Sequence, residues 1–98
     1  MEEKKKISDI RMGDRNVDFE AEVAELGEVR TFNKFGKDGK VQEAKIKDDS
    51  GQTTLVLWNE QAESLSVGDK ITVKGAYTKE FRGELQVHIA RQGSLEKQ

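Results

Sequence analysis

From Val17 the chain alternates, with Val17, Phe19, Ala21 and Val23 apolar and Asp18, Glu20 and Glu22 charged between them. A period of two belongs to a strand with one face in a core and the other in water, so this segment reads as strand one. The alternation slips at Ala24, Glu25, Leu26 and Gly27 and resumes toward Phe32, as when a long strand bulges or bends to serve two sides of a curved sheet. Residues 33–40 hold two glycines and three lysines, a turn composition, and Val41 to Lys47 follows with Ala44 and Ile46 on one face and Lys45 and Lys47 on the other. The pair is expected to form a hairpin with a basic loop.

Asp48, Asp49, Ser50 and Gly51 make a tight turn, after which Thr53 to Trp58 is dense in β-branched, aromatic and leucine residues, giving strand three. Asn59 suits the N-cap of a short helix through Leu65, with Glu60 in its first turn and Ala62 and Leu65 on one side. Val67, Gly68 and Asp69 turn the chain into strand four, Ile71 to Tyr77. A loop from Thr78 to Glu84 leads to strand five, Leu85 to Ala90, where Leu85, Val87 and Ile89 alternate with Gln86 and His88. The fold class expected from this order is all-β, a five-stranded Greek-key OB-fold barrel with a short helix between strands three and four. An SH3-like barrel also has five short strands, but the helix in that position and the long bent first strand favour the former. The expected boundaries are an N-terminal extension over 1–13, the barrel domain over 14–92 and a C-terminal tail over 93–98. The polar ends 1–6 and 94–98 are expected to be mobile.

Composition narrows the function. The chain has 98 residues, 37% of them charged and 34% hydrophobic, enough for one modest core. No apolar run approaches the length needed to cross a bilayer and no apolar stretch follows the first lysines as in a signal peptide, so a soluble, intracellular, cytoplasmic protein is expected with no membrane partner. With no cysteine and one histidine, no metal site or other cofactor is expected. The net charge of −2 conceals a blocked distribution. Residues 16–29 carry five acids and no base, and 30–47 carry six bases and two acids. Residues 48–69 carry five acids and no base, and 70–91 carry five bases and two acids. Charge runs are often mere solvated surface; here the positive ones coincide with aromatic residues.

If strand three keeps its period, Leu55 and Leu57 point inward and Thr54, Val56 and Trp58 outward, which exposes the sole tryptophan. Such a ring is a stacking platform for a nucleic-acid base; the alternative is that Trp58 packs beneath the helix that follows it. By the same parity His88 is on the outer face of strand five, as a second platform or as ordinary surface. Phe81 lies beside Lys79 and Arg82, and Phe32 and Phe35 lie beside Arg30 and Lys34. Rings and cations interleave in both loops, between which OB-folds bind oligonucleotides. Tyr77, counted from Ile71 and Val73, points inward unless a bulge at Gly75 shifts the register.

The pattern of Arg30, the lysine- and glycine-rich loop, Ala44, Lys47 to Gly51, Leu55 to Trp58, Val67-Gly68-Asp69, Gly75-Ala76-Tyr77 and Phe81-Arg82-Gly83 resembles the archaeal single-stranded DNA-binding proteins and the OB domains of replication protein A. The resemblance runs from about Asp14 to Ile89. It implies sequence-tolerant binding of single-stranded DNA in replication, repair or recombination, with Trp58, Tyr77 and Phe81 stacking on bases. His88 stands where relatives often have a further aromatic ring, which implies a weaker platform. Phe35 is a further stacking candidate. The backbone contacts expected are Arg30, Lys34, Lys37, Lys40, Lys45, Lys47, Lys79 and Arg82. The partners expected are single-stranded DNA, with single-stranded RNA and replication or repair proteins as the other candidates. An OB domain used for protein association is the competing function. No enzyme is expected: Asp48, Asp49 and Asp69 read as turn formers, and one histidine without cysteine supplies no convincing nucleophile and base.

Overall fold

The computed structural model describes residues 5–98. Residues 1–4 of the N-terminal extension lie outside the described residues. The chain forms β1 (Val17–Leu26), β2 (Arg30–Lys34), β3 (Lys37–Lys47), β4 (Gln52–Trp58), β5 (Lys70–Phe81) and β6 (Glu84–Lys97). The strands lie in the order β1-β5-β6-β4-β3-β2, and a further pairing of β1 with β3 closes the sheet on itself. All neighbours are antiparallel except β4 and β6. This is the expected five-stranded OB barrel: β1 and β2 are the two halves of the long first strand, separated at residues 27–29.

Two bulges make the closure possible. In β1 the register with β3 shifts between Val23 and Glu25, where the alternation slips in the sequence, so that Val17 to Glu22 pair with β5 and Glu22 to Leu26 with β3. The Val23 backbone is satisfied by the turn before β5, donating to Asp69 O and accepting from Gly68 N. In β5 the register with β6 shifts between Lys74 and Ala76 around Gly75, whose φ of +69° is a conformation that favours glycine. At this point the two strands nearly touch: a Cβ on Gly75 would lie 2.9 Å from Gly93 Cα.

The inward faces fill the barrel with Phe19, Val23, Ala44, Ile46, Leu55, Leu57, Ile71, Val73, Ala76 and Val87, all fully buried. Ile7 and Ile10 cover one end from a short 3-10 turn, Ile7–Asp9. That turn is clipped to the β3–β4 turn, where the Asp48 carboxylate accepts hydrogen bonds from Ile7 N, Ser50 N and Gly51 N.

Three expectations are corrected. The helix from Asn59 to Leu65 is only a 3-10 turn, Asn59–Gln61. Asn59 has φ of +55°, not the extended geometry of an N-cap, and its side-chain oxygen instead accepts from Lys40 N across on β3. The two basic loops are extended ribbons with two-residue turns, Phe35-Gly36 and Arg82-Gly83. All four of these residues have positive φ, 53° and 78° in the first and 53° and 80° in the second, as type I′ turns require. The segment assigned to a tail continues β6, with Ser94 to Lys97 paired to Lys74 to Ile71.

Candidate nucleic-acid interface

The groove on the outer face of the barrel is built by strand parity. Val41 faces Trp58, Glu43 faces Val56, and Lys45 faces Thr54 across β3 and β4; Val56 in turn neighbours His88, and Thr54 neighbours Gln86, on β6. On the far side Tyr77 is opposite His88, Lys79 opposite Gln86 and Phe81 opposite Glu84. These residues lie on one continuous surface because the bulge at Gly75 inverts the inward–outward alternation of β5. Ala76 is buried and Tyr77 is brought out beside His88.

Four rings form a row across this floor. Phe32 meets Trp58 edge to face at 5.9 Å, Trp58 stacks on His88 at 6.2 Å, and His88 stacks on Tyr77 at 5.4 Å. Trp58 is 40% and Tyr77 37% exposed, whereas His88, between them, is 5% exposed. Trp58 therefore does not pack beneath a helix, and His88 is on the outer face without being an open platform. Burial between the rings, and secondarily the Lys79 charge, lowers the pKa of His88 below the ordinary histidine value. Phe32 lies over Gly39, where a Cβ would collide with the ring, so the glycine makes room for it.

The central cavity is about 340 Å³, lined by Trp58, His88, Val56 and Phe81 and by the charged Arg30, Glu28, Glu43 and Lys79. Beyond Tyr77 the surface continues into a second depression bordered by Gly13, Arg15 and Asn16.

The structure thus brings together Trp58, His88, Tyr77, Phe81, Arg30, Lys45 and Lys79. Lys45 is held on the floor by Thr54, its Nζ 3.3 Å from Oγ1. Arg82, in its turn, covers the Phe81 ring at 5.1 Å. Lys34 and Lys37 pair across the β2–β3 ribbon on the face shared by Arg30 and Phe32. The remaining candidates stand apart. Lys40 has the opposite parity and lies 3.8 Å from Glu63, Lys47 turns toward Glu22 on β1 at 4.0 Å, and Phe35 is 92% exposed at the ribbon tip beneath Lys34. In the sequence Phe32 is only a neighbour of the basic loop; its parity with Arg30 is the signal that places it in the row. Gln86 and Glu43 also belong to the floor, and Gln86 is one alternation step from His88.

An OB barrel whose open face carries a row of rings bordered by cations has the architecture of a nucleic-acid-binding module. Residues 23–91 match the family described as the OB-fold nucleic acid binding domain, and the chain belongs to that family. It is similar to a replication factor A of Methanothermobacter thermautotrophicus, at 39% identity over 71% of this chain and 9% of that protein. It is also similar to a single-stranded DNA binding protein Ssb of Saccharolobus solfataricus, at 27% identity over 90% of this chain and 58% of that protein. The chain thus spans only part of either relative. Among solved structures, a replication factor A related protein from Methanobacterium thermoautotrophicum superimposes with a TM-score of 0.80 at 25% identity, covering 98% of this chain and 91% of that one. The family resemblance read from the sequence is borne out.

Proposed function

We propose that the chain binds single-stranded DNA without strong sequence preference, in DNA replication and the repair and recombination that share its intermediates. The observation that carries this reading is the ring row Phe32, Trp58, His88 and Tyr77 on an otherwise open barrel face. A stacked base gains on the order of 1–3 kcal/mol whatever its identity, because every base has a π-face. Duplex bases have no free faces to offer. The cations around the row supply the phosphate attraction, which acts locally and is not cancelled by acids elsewhere. The relatives replication factor A and the single-stranded DNA binding protein Ssb support the same partner. On this reading the chain acts as a binder, with its sole histidine engaged by Trp58 and Gln86.

Titration with oligo-dT, followed by Trp58 fluorescence and competed with duplex DNA and with single-stranded RNA, tests the proposal. Quenching that saturates, and that duplex reverses only weakly, is expected. Equal affinity for duplex and single strand would overturn it, competition by RNA alone would assign the groove to RNA, and an unchanged spectrum would favour the protein-association role.

A further inference from the structure

The floor of the groove contains hydrogen bonds that all run one way. Trp58 Nε1, which can only donate, lies 3.2 Å from His88 Nδ1. Nδ1 therefore presents its lone pair, and the proton of the neutral ring is on Nε2, 3.3 Å from Gln86 Oε1. Gln86 Nε2 in turn donates to the Glu43 carboxylate at 3.3 Å. Each member has the role its neighbours require, and β4, β6 and β3 are linked through their side chains.

Resting on the reading of this groove as a single-strand site, we propose that His88 is a positioning residue whose neutral Nδ1 fixes the Trp58 indole for stacking, and whose protonation releases it. At 5% exposure, with its Nδ1 edge taken up by Trp58 and Tyr77 against it, His88 offers no open face to a base and acts through Trp58. The protonated ring carries N–H groups at both nitrogens, and Nδ1–H would then oppose Nε1–H of the indole.

The charged and titratable groups around His88 are Tyr77 and Lys79 on β5, Glu43 and Lys45 on β3, Arg30 on β2, Glu28 in the β1–β2 connection and Glu84 on β6. Among them Lys79 adds to burial in favouring neutral His88. A strand laid over the rings buries His88 further and favours the neutral form more, so affinity falls as pH falls through the histidine titration. A histidine that contacted phosphate as a cation would give the opposite slope, with binding tightening in acid. The sign of the pH dependence separates the two roles.

The experiment has two arms. In the DNA-free protein, the indole N–H resonance of Trp58 and the ring resonances of His88 are followed by NMR from about pH 8 to 5, the range of histidine titration. In parallel, affinity for oligo-dT, whose bases do not titrate in that range, is measured for the parent and for His88→Phe, which keeps a ring but removes the acceptor. The indole signal is expected to move with the His88 midpoint. Parent affinity should fall about three- to tenfold below it, the size of one hydrogen bond. His88→Phe should show neither pH dependence and bind at the acid level throughout. An indole resonance indifferent to the His88 titration, or affinity that rises toward acid, overturns the proposal. Failure to bind oligo-dT at any pH would remove the single-strand reading alone, and the NMR arm, which needs no DNA and no variant, would still decide whether His88 holds Trp58.

Discussion

The β2–β3 ribbon carries three lysines that the sequence treats alike and the structure separates. Lys34 and Lys37 share the ring-bearing face, while Lys40 points to the other side and lies 3.8 Å from Glu63. Each phosphate neutralised on a single strand contributes about 0.7 to the slope of log affinity against log salt. Changing Lys34 and Lys37 together to Gln should therefore reduce that slope by about 1.4, so that over a fourfold rise in salt the parent loses about sevenfold more affinity than the variant. Lys40→Gln should leave the slope unchanged. Neither variant should alter thermal stability, because exposed ion pairs contribute little and Lys34 and Lys37 have only the turn beside them. The assay is oligo-dT affinity at four or more salt concentrations, with melting curves as the control. Should Lys40→Gln flatten the slope as much as the pair does, or the pair leave the lines parallel, the strand does not follow this face of the ribbon.

Trp58→Ala, Tyr77→Ala and Phe81→Ala should each lose roughly 1–3 kcal/mol of oligo-dT binding by calorimetry while the circular dichroism stays that of the barrel. Phe35→Ala should lose little, since that ring is at the ribbon tip. Gly93→Ala should destabilise by several kcal/mol in denaturant unfolding, because its Cβ would lie 2.8 Å from Gly75 O and nearer still to Lys74 O, backbone atoms that cannot swing aside as a flexible side chain would. Gly36→Ala, at φ of +78° with open space around it, should cost only about 1 kcal/mol. Burial raises the pKa of Asp48, but hydrogen bonds from Ser50, Ile7 and Gly51 outweigh it and hold the carboxyl below the ordinary aspartate value. Its contribution to stability is thus complete above the unfolded aspartate pKa and is lost as pH falls through the lower folded value. Asp48→Asn should melt at a lower temperature near neutral pH and show a shallower acid limb.

Strand parity carried most of the site in advance. Leu55 and Leu57 point inward, Trp58 and His88 are on the outer face, and Gly75 is the bulge on which the position of Tyr77 depends. What the sequence concealed rests on interactions between distant segments. Asn59 is a good helix cap locally, yet the backbone of Lys40 offers its side chain a partner across the sheet, and the helix is reduced to one turn. The ribbons were hidden because Phe35 and Arg82 adopt positive φ, which non-glycine residues rarely do. The final strand residues were hidden because main-chain ladders can be formed by almost any side chains, and Arg91 to Lys97 has no clear period. The covered state of His88 follows from three rings meeting from three strands, which no local pattern announces.

Both ribbons end in two-residue turns, and this governs how their reach can change through insertion. One added residue on each arm preserves the pairing but brings the tip residues onto the opposite face of the ribbon. Two on each arm restore the face and lengthen the ribbon by about 7 Å. Reach is thus quantised in four-residue increments, at a place remote from the packed interior. A ribbon of this design can lengthen or shorten without repacking Leu55, Leu57 or Phe19.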